Sequence, residues 1–113
     1  MTPYKPWDVI LVPFPFTDCS LNKRRPAIVV SCDMYNDSGN LVIGFLTSNL
    51  HGASRLGDYN LAAYQHAGLP LPTRFRAEFA TISGKLAVKR LGSLMAVDQA
   101  AISESIRTVL ALV

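Results

Sequence analysis

The chain has 113 residues, of which half are hydrophobic and only 17% are charged. This composition lets the chain bury a compact core, so it is not a disordered polypeptide. Its length is enough for one domain and too short for two. Eleven Lys and Arg against eight Asp and Glu give a net charge of +3, which favours an anionic partner without identifying it. No apolar run reaches the roughly 18 residues of a membrane span. We therefore expect one domain over residues 1–113 with no membrane partner.

Four segments are typical of β-strands, because each is a run of β-branched, aliphatic or aromatic residues bounded by Pro, Gly, Asn or Asp. In chain order they are DVILVPF (8–14), PAIVVSC (26–32), NLVIGFLTS (40–48) and FATIS (79–83). The segment DMYNDSGN (33–40) contains residues that tolerate positive backbone angles, which predicts a hairpin connection between the second and third strands.

The C-terminal segment has helical rather than strand periodicity. The apolar residues that fall on one face of this helix are Ile102, Ile106, Val109, Leu110 and Val113. Asp98 precedes them, and aspartate is a favoured N-cap residue. Short strands followed by one amphipathic helix predict a mainly β fold, with a strongly bent antiparallel sheet or a partly open β-barrel.

Three consecutive cations, Lys23, Arg24 and Arg25, stand directly before Pro26 at the start of the second predicted strand. Proline has no N–H and is accepted at the first residue of a strand, and it keeps the preceding residue extended. Arg25 is therefore expected at the strand entry. The polar loop before it (15–24) is typical of a connection that lies over a cleft. The cations either bind an anion there or only keep the loop soluble.

The cysteines and histidines are isolated in the sequence. Cys19 and Cys32 are not in C-x-x-C spacing, so we expect reduced structural thiols. His51 and His66 are too few for a zinc site, which needs about four ligands, so we expect no metal and no cofactor. The first residues lack the features of a signal peptide. Together these observations predict a cytoplasmic protein.

Four stretches carry a resemblance to a known family. They are WDVILVPFPFTDCSLNKRRPAIVVS (7–31), IGFLTSNL (43–50), AGLPLPTRFR (67–76) and KRLGSL (89–94). In order and spacing they resemble the MazF/PemK family of toxins from bacterial toxin–antitoxin pairs. The resemblance implies an SH3-like β-barrel with a C-terminal helix and a homodimer. It also implies a metal-independent, sequence-selective endoribonuclease that cleaves single-stranded RNA and is neutralised by a cognate antitoxin.

The resemblance implies that Arg25 and the Thr47–Ser48 pair carry the chemistry. Attack by the 2′-hydroxyl of RNA needs a proton acceptor, a donor for the leaving 5′-oxygen and positive charge on the transition state. The planar guanidinium of Arg25 can hold two phosphate oxygens, and Lys23 and Arg24 would bind RNA beside it. Because neighbouring strand residues face opposite sides, only one hydroxyl of the pair is expected to face the cleft, and we favour Ser48.

The general base is an open question, and Glu78 is the first candidate. If the strand runs regularly, Arg74, Arg76 and Glu78 share one face, which is either an RNA-facing strip or an ordinary half-buried strand with a surface ion pair. Asp18 would either orient Arg25 or only initiate a turn. His51 follows the Thr47–Ser48 pair closely and is either a proton carrier or a solvated loop residue.

Trp7 departs from the family pattern. Trp7 stands where members commonly have glycine, and we expect it to be buried against the barrel; the alternative is an exposed ring that stacks on a base. A competing hypothesis for the whole chain is a non-catalytic SH3-like interaction module, including an inactive toxin relic. A DNA-directed inhibitor is a third class, and no residue pattern favours it.

Overall fold

The protein is described by a computed structural model that covers residues 3–13 and 23–112. In chain order its elements are β1 (Asp8–Pro13), β2 (Arg24–Val29), α1 (Asp33–Asn36), β3 (Asn40–Thr47), β4 (Tyr59–Asn60), β5 (Arg74–Ser83), β6 (Lys89–Ser93) and α2 (Ala96–Val109). The strands form one antiparallel sheet in the order β4, β5, β3, β2, β1, β6. This sheet curls into a half-barrel with a C-terminal helix, which confirms the predicted fold.

All four predicted strands are present, with shifted ends. β2 begins two residues before Pro26, because β1 supplies pairing partners for Arg24 and Arg25. β5 begins at Arg74, five residues before the predicted segment. β4 and β6 were not predicted, since β4 has only two residues and β6, which reads KRLGS, contains no β-branched residue. No helix in the described ranges is long and apolar enough to cross a membrane.

Residues 33–40 reverse the chain between β2 and β3, as predicted, but they include the single helical turn α1. Gly39 has the positive backbone angle that the composition indicated, with φ at +102°. The buried side chain of Asn36 accepts a hydrogen bond from the hydroxyl of Ser31 and donates to the carbonyls of Ser31 and Tyr4. The connection is therefore fixed to the body of the sheet.

Two apolar clusters cover the two faces of the sheet. On one face, the buried side chains of the first cluster pack against Ile102 of α2; they include Val9, Ile28, Leu46 and Phe75. On the other face lies the second cluster, formed by Ile10, Val12, Ala27, Val29, Leu41, Ile43 and Ile82. Strand alternation explains the division, because Val9 pairs with Ile28 whereas Ile10 pairs with Ala27.

Helix α2 begins after Met95, so the prediction of Asp98 as its N-cap is wrong. Asp98 lies in the first turn and is fully buried. Its carboxylate accepts hydrogen bonds from the Tyr59 hydroxyl at 2.6 Å and from the N–H groups of Ala62 and Ala63 at 2.8 and 3.0 Å. Burial and this carboxylate raise the pKa of Tyr59 to about 12. Asp98 thus joins the helix to the chain that follows β4.

The apolar face of α2 largely follows the prediction. Ile102 is fully buried, and Ile106 packs against the first cluster. Val109 is half-buried, whereas Leu110 is 50% exposed just after the helix ends. Val113 lies outside the described residues.

Trp7 has a left-handed backbone, with φ at +71°. Its N–H donates to the Val29 carbonyl at 2.7 Å and its carbonyl accepts from the Leu94 N–H at 3.0 Å, so both backbone groups are held by neighbouring segments. The ring is partly buried against the first cluster, as expected. A left-handed backbone favours glycine, which is the residue that the family resemblance led us to expect here.

The segment after β4 crosses β6 at close range. A Cβ on Gly68, whose φ is +81°, would lie 2.1 Å from the carbonyl oxygen of Leu91. A Cβ on Gly92 would lie 2.6 Å from the backbone of Ala67. Two facing glycines therefore allow the two backbones to touch, and this contact holds residues 67–73 beside the sheet.

Candidate functional site

A cleft of about 230 Å³ opens at the end of the face that carries the second cluster. Its lining residues come from β2, β3, the loop after β3, and β5; they are Arg25, Phe45, Leu46, Thr47, Asn49, His51, Arg76 and Glu78. The strand register explains this grouping. Phe45 pairs with Ala27 on one side and with Arg76 on the other, so these side chains share a face. Arg25 lies two residues before Ala27 on that same face.

A bulge in β5 shapes one wall of the cleft. The pairing shifts from Phe45 with Arg76 to Gly44 with Phe79, which leaves Ala77 and Glu78 without partners on β3. Two extra residues preserve the alternation of sides, so Arg76 and Glu78 both line the cleft, as a regular strand predicted. Bulges of this kind commonly re-aim side chains next to active sites.

Arg76 is held by a buried carboxylate that the sequence analysis did not identify. Its Nη2 and Nε lie 2.8 and 3.2 Å from the two carboxylate oxygens of Asp58, whose side chain is only 2% exposed. The N–H of Arg55 also donates to Asp58, at 2.9 Å. Burial acts to raise the pKa of Asp58, but the hydrogen bonds from Arg55 and Arg76, with the charges of Arg76 and Arg74, lower this pKa below its ordinary value.

Arg74 does not line the cleft, which differs from the RNA-facing position expected from the sequence. It is only 7% exposed, and its Nε donates to the Asn60 side chain at 2.8 Å. Its Nη1 is buried and has no hydrogen-bond partner among the described residues. Asn60 pairs directly with Arg74 across β4 and β5. Asp58 and Asn60 are two residues apart, as are their partners Arg76 and Arg74. This spacing would have predicted both pairs if β4 had been recognised in the sequence.

Glu78 forms an ion pair with Arg55, with 2.7 Å between Nη1 and Oε2. The two side chains are 49% and 62% exposed, so this pair lies at the mouth of the cleft rather than within the core. His51 is exposed on the same loop, and its backbone N–H donates to the Asn49 side chain at 3.1 Å. The structure therefore brings both candidate bases, Glu78 and His51, to one cleft with Arg25.

Thr47, rather than the favoured Ser48, lines this cleft. The Thr47 hydroxyl oxygen accepts a hydrogen bond from the N–H of Asn49 at 3.1 Å. Because the hydroxyl is used as an acceptor in that bond, its own proton remains to be donated elsewhere. Ser48 lines a smaller adjoining pocket of about 160 Å³, to which Arg25 and Thr47 also contribute. Thr47 therefore lines both cavities, whereas Ser48, which follows the end of β3, lines only the smaller one.

The other candidate residues lie away from the cleft or outside the description. Lys23 and Arg24 are exposed and line neither pocket. Asp18 and Cys19 lie outside the described residues, whereas Cys32 is an exposed free thiol. Over residues 3–13 and 23–112, no three His, Cys, Asp or Glu side chains gather into a group that could hold a metal ion.

Comparison with models of protein families gives a match over nearly the whole chain. The family model described as PemK-like, MazF-like toxin of type II toxin–antitoxin system matches residues 5–110. The chain therefore belongs to the PemK/MazF family of toxins. Comparison with curated protein sequences gave no significant match.

Solved structures share this fold at low sequence identity. An endoribonuclease in complex with its cognate antitoxin from a mycobacterial species superposes with a TM-score of 0.77 at 16% identity, covering 97% of each chain. The Mycobacterium tuberculosis toxin MazF-mt6 gives 0.71 at 18% identity, covering 94% of this chain and 98% of the toxin. A MazE–MazF crystal structure from Deinococcus radiodurans gives 0.75 at 19% identity, covering 97% of each chain.

Proposed function

We propose that this toxin is an endoribonuclease that cleaves single-stranded RNA through attack of the 2′-hydroxyl on the adjacent phosphate, leaving 2′,3′-cyclic phosphate and 5′-hydroxyl ends. The observation that carries the proposal is one cleft containing a guanidinium, a hydroxyl with a proton to donate, and two side chains that can accept a proton, namely Arg25, Thr47, Glu78 and His51.

Arg25 and Thr47 would stabilise the phosphorane-like transition state. The fork of Arg25 can donate to two non-bridging oxygens, and the hydroxyl of Thr47 can donate to one of them. Donors fixed before the reaction need little reorganisation as negative charge develops, and the Asn49 N–H restricts the Thr47 hydroxyl in this way. Arg76 lines the same wall, where Asp58 balances its charge and fixes its position. Ser48 lies in the adjoining pocket, so it would contact the substrate there, while Thr47 makes the hydrogen bond to the phosphate oxygen.

Glu78 would take the proton from the 2′-hydroxyl. Its carboxylate lies in the cleft with Arg25, and its present partner Arg55 is on an exposed loop that can release it when RNA enters. The alternative base is His51, since imidazole exchanges protons near neutral pH. Whichever of Glu78 and His51 is not the base would protonate the leaving 5′-oxygen, because the reaction needs an acid as well as a base. The scheme uses side chains alone, in agreement with the metal independence that the family resemblance implies.

A cognate antitoxin is the proposed protein partner. Two of the similar structures are a toxin with its cognate antitoxin and a MazE–MazF complex, which supports such a partner here. With a net charge of +3, this chain would attract an acidic segment that folds over the cleft and displaces RNA. A homodimer and a cytoplasmic location complete the proposal.

The test is to incubate the purified protein with a long single-stranded RNA in EDTA and to map the fragment ends. We expect discrete cuts with 2′,3′-cyclic phosphate termini, at least about a hundredfold slower in Arg25→Ala. The matched control is Arg107→Ala, which removes the same side chain from the exposed face of α2. Intact RNA with retained RNA binding would instead indicate the non-catalytic interaction module.

A further inference from the structure

A second pocket adjoins the cleft at Arg25 and has a different character. It encloses about 160 Å³, and the residues particular to it include Ser48, Leu69, Pro70, Leu71 and Thr73. Leu69 is buried, whereas Leu71 is 56% exposed. The walls are therefore mainly apolar, in contrast to the charged lining of the cleft.

We propose that this pocket binds the base of one of the two nucleotides that flank the phosphate at Arg25, and that it prefers a pyrimidine. The inference rests on the proposed function, because it takes the phosphate position from that scheme. Arg25 and Thr47 line both cavities, so a phosphate held by them lies directly at the entrance of the pocket. The base attached to an adjacent ribose is the part of the substrate that can reach inside.

The size of the pocket favours one six-membered ring. A cavity of about 150 Å³ lined by apolar side chains accommodates one benzene molecule, which is close to the volume here. A uracil or cytosine ring fits this space, whereas the two fused rings of a purine need more volume than the pocket provides. Apolar contacts with a base are tolerant of its identity, so this discrimination comes from size rather than from stacking.

The polar groups of the pocket offer hydrogen bonds to the base. Thr73 is buried, and its hydroxyl donates to the Leu71 carbonyl at 2.8 Å, so its oxygen is left as an acceptor. Uracil offers N3–H and cytosine offers its amino group as donors to such an oxygen. Ser48 is exposed and can donate or accept, so it suits either pyrimidine. The pocket therefore selects by ring size, and the Thr73 oxygen adds a hydrogen bond for the pyrimidine that fits.

The test is to digest a randomised single-stranded RNA pool and to sequence the fragment ends. We expect a pyrimidine to be enriched at one position next to the cut in the wild type. Leu71→Ala and Thr73→Val should each reduce this enrichment about tenfold, because each removes one contact of the base. Leu56→Ala is the matched control, since Leu56 is 77% exposed and lines neither cavity. It should leave the enrichment unchanged.

The outcomes separate the two proposals. If the wild type cuts RNA without a pyrimidine preference, or if the preference persists in both pocket variants, the pocket assignment is wrong and the nuclease proposal stands. If the wild type cuts no RNA, the nuclease proposal fails, and fluorescence polarisation with short 2′-O-methyl oligonucleotides tests the pocket directly. Tighter binding of oligouridine than of oligoadenosine, lost in Leu71→Ala, supports the pocket; equal affinities refute it.

Discussion

Replacing Asp58 by asparagine tests whether the buried carboxylate fixes Arg76 in the wall of the cleft. The amide keeps the shape of the side chain and an oxygen that can accept the N–H of Arg55, so the change removes mainly the negative charge. Asp58 is 2% exposed and Arg76 is 20% exposed, with contacts of 2.8 and 3.2 Å between them. Little solvent therefore screens this pair, which distinguishes it from an ordinary surface ion pair.

The expected loss in the free energy of unfolding at pH 7 is about 2 kcal/mol. Hydrogen bonds to charged groups contribute about 1.5–3 kcal/mol, and removing one partner of a fully buried ion pair costs about 3–5 kcal/mol. The asparagine amide would retain one hydrogen-bond acceptor, and Arg76 retains some contact with solvent. The expected loss therefore falls in the range for a hydrogen bond to a charged group rather than in the range for a fully buried ion pair. Because the folded state lowers the pKa of Asp58, the contribution is present above the ordinary value of about 3.9 and is lost as the pH falls through the folded value.

Urea unfolding of the wild type and Asp58→Asn between pH 7 and pH 3 measures this effect. The control is Glu104→Gln, which removes a carboxylate from an exposed ion pair and should cost less than about 0.5 kcal/mol. The Asp58→Asn variant also leaves the cleft one charge more positive, so the salt dependence of RNA binding should steepen by up to about 0.7 in logarithmic slope. A loss at pH 7 equal to that of the control, or one that does not shrink towards pH 3, would refute the reasoning.

Three further predictions concern single side chains. The folded state raises the pKa of Tyr59 to about 12, so stability should fall as the pH rises from 10 to 12, by about 1–2 kcal/mol for this half-buried group, and Tyr59→Phe should abolish that slope in urea titrations. Trp7→Gly and Trp7→Ala both remove the indole ring, but only glycine adopts the positive φ of this position without strain. Thermal unfolding should therefore show Trp7→Gly to be more stable than Trp7→Ala by about 1 kcal/mol. The opposite order would contradict the strain assigned here. Gly68→Ala should cost at least about 3 kcal/mol in urea unfolding because its Cβ would meet the Leu91 carbonyl; a loss below about 1 kcal/mol would mean that this backbone contact can separate.

The sequence predicted the parts of the fold that depend on local pattern. The apolar runs in β1, β2 and β3 are short, rich in β-branched residues and bounded by turn residues, which favours strands over helices, and the helical spacing from Ile102 onwards located α2. Pro26 placed Arg25 near the start of a strand because proline restricts its own backbone and that of its neighbour. The position of Arg25 in the cleft follows from this local rule and from alternation along β2.

The remaining features depend on partners distant in sequence. In the sequence, Asp98 precedes the apolar face of the helix and has the chemistry of an N-cap, but it lies within the first turn, and three donors from residues 59–63 bind its carboxylate instead. Arg74 and Arg76 are both arginines on the same face of β5. Asn60 nevertheless holds Arg74 in a buried site, whereas Asp58 holds Arg76 at the cleft. β4, which carries Asn60 and directly follows Asp58, is only two residues long. Neither propensity nor periodicity can detect a strand of that length.

The bulge in β5 also bears on how this chain could change over evolutionary time. Because Ala77 and Glu78 have no partners on β3, both could be deleted together and the pairs on either side would close into a continuous ladder. The loss of one residue alone would turn every side chain beyond it to the opposite face and expose the core. Insertions and deletions at this site should therefore be tolerated in twos, so the composition of this wall of the cleft can vary while the half-barrel behind it stays the same.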